Sequence, residues 1–147
     1  IMSTPDSIKI IKQYIASHHV FTLCTTRALG DIWCANCFYW FDESNMRLVF
    51  LSEKHTRHAQ MMQENLFVAG SISTQELSVA NLQGVQFTGT VSLLTANDDI
   101  RARKQYCLRF PVALAAIHVP LWQLQLQEIK MVNNQLGFGT KLFWQRH

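Results

Sequence analysis

Charge is scarce in this chain. Asp, Glu, Lys and Arg make up 16% of its 147 residues, while apolar residues reach 48%. An ordinary soluble domain carries about 25% charged residues. The shortage leaves apolar surface that a partner chain, most simply a second copy, is expected to cover. Long apolar runs are also missing. None approaches the roughly 18 residues of a membrane helix, and "IMSTPDSIKI" lacks the pattern of a signal peptide. A cytoplasmic protein without a membrane span is the expectation. Excess charge of one sign is missing too. The balance of 13 Lys plus Arg against 10 Asp plus Glu gives only +3, and no basic face stands out to argue for nucleic acid. Finally, "CANC" at 34–37 has no second C-x-x-C to complete a zinc site.

The length fits one domain spanning 1–147 with a real core. The four cysteines, Cys24, Cys34, Cys37 and Cys107, are expected to be reduced thiols acting as small buried apolar residues. "DIWCANCFYWF" reads as a strand, where residues three apart point to opposite faces, so the sulfurs of Cys34 and Cys37 should diverge.

Other periodicities define the remaining elements. "TPDSIKIIKQYIASHH" reads as a helix with Thr4 as cap, Pro5 at its first position and a stripe of Ile8, Ile11, Tyr14 and Ile15. "VFTLCTTR", "DIWCANCFYWF" and "MRLVFLS" read as an antiparallel meander joined by "ALG" and "DESN". A helix from about Thr56 to Glu64 follows, then the strand "LFVAGSIS". "TQELSVANL" has no clean period and reads as a loop or bulge. "QGVQFTGTVSLL" is a long strand whose Gly84 and Gly89 mark bulges or bends. "NDDIRARKQYCLRF" is a helix capped by Asn97, and "PVALAAIH" adds a short helical piece. "VPLWQLQLQEIKMVN" alternates apolar and polar positions as a half-buried strand, and "KLFWQR" closes the chain. The fold class is mainly β, α+β in loose terms: a closed or split barrel of six or seven mostly antiparallel strands with a few helices.

One stretch carries chemistry. In "SEKHTRHAQM", Lys54, His55, Arg57 and His58 crowd the start of a helix, where the backbone dipole favours anions. A bound anion would reconcile them. Backbone N–H groups, the Arg57 fork, the Ser52 and Thr56 hydroxyls and the His58 imidazole could all donate to a phosphate. A solvated polar turn is the plain alternative. His55 and His58 lack a third histidine or a carboxylate to complete a metal site, so no metal is expected.

The order of elements resembles that of the FMN-binding split barrels related to pyridoxamine 5′-phosphate oxidase. "DIWCANCFYWF", "EKHTRHAQM", "QGVQFTGTV", "RFPVA" and "LGFGTKLFWQR" look like its uncharacterised bacterial YhbP-type branch. The resemblance implies an FMN cofactor and a homodimer with the flavin site between protomers. Leu51 and Ser52 fall at the strand end preceding the phosphate-gripping triplet, which corresponds to Thr56, Arg57 and His58. Ala35 and Asn36 fall on the strand that passes along the flavin ring. Gln83 or Gln86 would be the glutamine supplied by the other subunit. Trp144, in the closing motif, is the chosen pocket aromatic among Trp33, Trp40, Trp122 and Trp144. Two departures argue against pyridoxamine phosphate oxidation: His58 replaces a lysine, and "KLFWQRH" lacks the Arg-x-His substrate motif. The reading is therefore a flavin-dependent reductase or oxidoreductase of unknown substrate, with no catalytic residue assigned. The alternatives are a flavin-free binding protein and a haem-handling barrel with His118 or His147 as ligand.

Overall fold

The computed structural model describes residues 4–147. Helix α1 covers Pro5–Ser17. The Thr4 hydroxyl accepts from the Ser7 N–H at 3.1 Å, Pro5 needs no donor there, and Asp6 complements the dipole. Ile11, Tyr14 and Ile15 of its stripe are buried in the main core, while Ile8 is only half-buried.

Strands β1 (Val20–Arg27), β2 (Asp31–Phe38), β3 (Trp40–Asp42) and β4 (Arg47–Leu51) come first. Helix α2 (Arg57–Glu64), β5 (Phe67–Ser73), β6 (Gln83–Leu93), helix α3 (Ala96–Arg109), β7 (Leu121–Asn133) and β8 (Lys141–Gln145) follow. The pairings are antiparallel, in the order β2-β1-β5-β6-β7-β4-β3, with β8 added on β7. Only Tyr39 separates β2 from β3. The two ends of the strand order are thus halves of one bent strand, and the sheet curls round as a split barrel rather than lying flat. Eight strands stand where six or seven are expected because this strand breaks. Tyr39 turns its side chain fully inward and donates its hydroxyl to the Ile15 carbonyl at 2.6 Å.

Strand β7 is where the barrel forks. One side pairs with β6 along its length. The other pairs with β4 over Leu121–Gln125 and with β8 over Glu128–Val132. Arg146 fills the seam, donating from Nε to the Leu126 carbonyl at 2.8 Å and from Nη2 to the Asn45 and Met46 carbonyls at 2.9 Å each.

A bulge falls between Thr88 and Gly89, as the glycine implies, but the register runs unbroken through Gly84. Helix α3 begins at Ala96 with Thr95 in the cap position, two residues ahead of what Asn97 predicts. Its first turn is fixed by tertiary pairing instead. Asp98 takes the fork of Arg47 through two bonds of 3.0 Å, and Arg47 Nε reaches Asp42 at 2.8 Å. Val49, Leu94, Ala102, Tyr106, Ala113 and Leu121 form a second apolar cluster under α3. "PVALAAIH" holds a 3-10 segment, Pro111–Ala116, and "TQELSVANL" is irregular apart from one 3-10 turn at Val79–Asn81. No helix among the described residues is long and apolar enough to cross a membrane.

Cys34 and Cys37 do diverge across β2. Cys37 is buried, and burial pushes its thiol up to about 12. The expectation that all the cysteines are buried apolar residues holds at Cys37 alone: Cys24 and Cys107 are half-buried, and Cys34 is exposed. Its side chain belongs to the outer face of a β1–β2 hairpin, where no core covers it.

Candidate functional site

The N-terminus of α2 is built around three side chains, those of Ser52, Thr56 and His58. Thr56 caps the helix, its Oγ1 accepting from the Ala59 N–H at 3.3 Å and donating to the Glu53 carbonyl at 2.8 Å. Ser52 ends β4 and is buried. Its N–H reaches the Pro120 carbonyl at 3.1 Å, and its own carbonyl accepts from Trp122 Nε1 at 3.2 Å. The helical turn then swings His58 back toward it, so that Nε2 lies 2.7 Å from Ser52 Oγ and 3.4 Å from Thr56 Oγ1. Burial holds the imidazole below its ordinary 6.5, which favours the neutral ring near neutral pH. Two hydroxyls and one imidazole therefore converge where the backbone N–H groups of the first turn point outward.

Arg57 leaves the opposite way. Its Nη2 donates to Asp31 Oδ1 at 2.7 Å, and its guanidinium lies 4.2 Å over the Trp33 ring. Asp31 also accepts from Arg27 Nε at 2.6 Å, and Arg27 reaches Glu64 at 3.0 Å. The hydrogen bonds from Arg57 and then Arg27 hold the Asp31 carboxyl below its ordinary range. Part of the counter-charge at this helix start thus comes from the β1–β2 hairpin. Asp31 and Trp33 as partners of Arg57 have no local signal in the sequence. They lie on another element and meet α2 only once the hairpin docks.

The remaining expected site residues fall in several places. Leu51 is half-buried against the cluster under α3. Ala35 is half-buried on β2, and Asn36 is exposed there, accepting from Thr22 Oγ1 at 2.9 Å. Gln83 gives its carbonyl to the Tyr14 hydroxyl at 3.2 Å and lines a groove with Tyr14 and His18. Gln86 instead shares a groove of about 490 Å³ with Lys130, Phe143 and Trp144, between β6, β7 and β8. The structure thus brings Ser52, Thr56 and His58 together with Arg57 adjacent, and separately joins Gln86 to Trp144. Gln83 joins neither group. His118 and His147 are both exposed. No cluster of three or more His, Cys, Asp or Glu able to hold a metal is found among the described residues.

The forked, curled sheet defines the class of protein as a split barrel, and solved structures agree. A heme binding protein from Mycobacterium smegmatis matches with a TM-score of 0.83 at 18% identity, covering 98% of this chain and 60% of that one. A FAD-binding protein from Mesorhizobium loti matches with a TM-score of 0.69 at 9% identity, covering 84% and 90%. No family model matches the chain. A curated relative does: the UPF0306 protein of Yersinia pseudotuberculosis serotype O:1b is 48% identical over 145 residues, covering 99% of this chain and 97% of the relative. The chain belongs to the UPF0306 family.

Proposed function

We propose that this split barrel binds FMN or a related flavin and serves as a flavin-dependent oxidoreductase or reductase. The phosphate is held at the start of α2 by Ser52, Thr56 and His58, and Arg57 turns to it from its resting place on Asp31 and Trp33 when the anion binds. The ring lies along β2 near Ala35 and Asn36. A second copy of the chain presents Gln86 and Trp144, which share one groove and lie on elements other than the phosphate cluster. The observation that carries the reading is the convergence of Ser52 Oγ and Thr56 Oγ1 on His58 Nε2, at 2.7 and 3.4 Å, beside a helix N-terminus. Hydroxyls, an imidazole and a helix N-terminus are partners a phosphate takes, and an anion here would replace the bond between Ser52 and His58. The likeness of the fold to a FAD-binding protein supports the class of ligand. The flavin, once bound, supplies the redox chemistry, and the protein binds and orients it.

A paired titration tests the proposal. Charge-assisted hydrogen bonds contribute roughly 1.5–3 kcal/mol. Arg57→Ala should therefore weaken FMN by about 10- to 150-fold, since about 1.4 kcal/mol is tenfold, and leave riboflavin nearly untouched. Arg57→Lys should recover only part of the loss, because an ammonium lacks the guanidinium fork. Unchanged FMN affinity, or equal weakening of both ligands, removes Arg57 from the phosphate site. Haem supplies the competing outcome, in line with the heme binding protein of the same fold. A saturable Soret band lost in His118→Ala or His147→Ala, with no FMN binding, overturns the flavin reading.

A further inference from the structure

Cys24 and Cys34 face each other across the β1–β2 ladder as direct partners, and their sulfurs lie 3.3 Å apart. We propose that these two thiols are a reversible redox couple, closing to a cross-strand disulfide when a peroxide oxidises them and reopening with a thiol reductant.

The geometry already meets most requirements of the bond. Directly opposed residues in an antiparallel ladder have Cα atoms about 4.5 or 5.5 Å apart, and both values lie within the roughly 4.4–6.8 Å that a disulfide spans. The sulfurs need to close from 3.3 Å to about 2.05 Å, a change that side-chain torsions supply without a shift of register. The "CANC" spacing is not the pair. Cys37 points to the opposite face of β2 and is buried, and Cys107 lies on α3.

The two thiols divide the work. Cys34 is exposed and meets the oxidant, whereas Cys24 is half-buried, its thiol pushed up to about 11 by burial and by Cys34. The Cys34 thiolate attacks one oxygen of hydrogen peroxide, breaking the O–O bond and leaving Cys34 as a sulfenic acid. The first water takes the departing oxygen and two protons. The Cys24 sulfur then attacks the Cys34 sulfur, the S–S bond forms, and the sulfenic oxygen leaves as a second water. Two thiols have lost two electrons and two protons, and one peroxide has become two waters. The new bond staples the hairpin that carries Asp31 and Trp33.

The test is mass mapping of the reduced full-length protein after brief treatment with hydrogen peroxide at low micromolar concentration. The expected result is the loss of two hydrogens, a crosslinked peptide joining Cys24 to Cys34, no linkage between chains, and full reversal by dithiothreitol. Cys37→Ser and Cys107→Ser should behave as wild type, while Cys24→Ser and Cys34→Ser should form no crosslink. Phenylarsine oxide, which needs two neighbouring thiols, should bind wild type one to one and lose at least about tenfold affinity in either of the latter variants, roughly 1.4 kcal/mol. If a serine variant does not fold, the wild-type map decides alone. A crosslink through Cys37 or Cys107, a linkage between chains, or two thiols still free after peroxide would overturn the proposal.

Discussion

His58 lies 2.7 Å from Ser52 Oγ, in a position that burial makes poor for a charge. Its folded-state value is below 6.5, so the unfolded chain takes up the proton first as the pH drops. The stability this neutral ring contributes is complete above about pH 6.5 and is lost as the pH falls from there toward the folded value. His58→Gln should therefore flatten the fall in melting temperature between about pH 7.5 and 5.5, an effect of a few degrees seen by thermal unfolding in matched buffers. A bound phosphate acts on the same ring in the other direction, since a dianion beside it favours the imidazolium. FMN should bind more tightly at about pH 6 than at about pH 8 in wild type, and this difference should shrink in His58→Gln. An equal pH slope in both proteins would mean that His58 does not face the phosphate.

Strand β6 separates two glycines that look alike in sequence. A Cβ at Gly89 would meet Leu124 Cδ2 at 2.4 Å and the Gln125 carbonyl oxygen at 2.7 Å, whereas at Gly84 the nearest atom is 3.4 Å away. Gly89→Ala should cost about 1–3 kcal/mol through overpacking, and Gly84→Ala should stay within about 1 kcal/mol of wild type. Urea midpoints at constant slope check both. Equal midpoints would show that the wall at the bulge yields. The elements themselves were largely legible, because alternation along "LWQLQLQ" and the cap at Thr4 are local signals. The grouping of Ser52, Thr56 and His58 was legible for the same reason, since all three lie within one strand end and one helical turn. What stayed hidden depends on partners far along the chain. The break at Tyr39 follows from α1 packing beneath it, and the start of α3 follows Arg47 pairing with Asp98. The Cys24–Cys34 partnership was within reach, because the "ALG" turn fixes Arg27 against Asp31 and every later pair counts outward from there.

At the scale of the whole molecule, one uncharged surface stands out. The outer side of β5 and β6 presents Phe67, Ala69, Ser71, Gln86, Thr88 and Thr90, with no charged side chain among them, and Phe67 is 72% exposed. Such a surface suits a second copy of the chain, with the Gln83 to Thr90 strand at or near the interface. Light scattering at micromolar concentration should give twice the chain mass. Phe67→Arg should weaken self-association by about tenfold or more, as expected for burying a charge at an apolar contact. A wild-type protein with the mass of one chain would remove the shared flavin site as well as the dimer.

The fork at β7 sets a timetable for synthesis. Strands β4 and β6 leave the ribosome well before the segment Leu121–Asn133 that both must pair with. Until that segment emerges, the nascent chain holds two strand edges with unpaired backbone groups, a surface open to neighbouring polypeptides. Barrel closure therefore waits for β7. A messenger truncated before the codon for Leu121 would yield a product able to form the β2-β1-β5-β6 arm of the sheet, but left permanently sticky along β6.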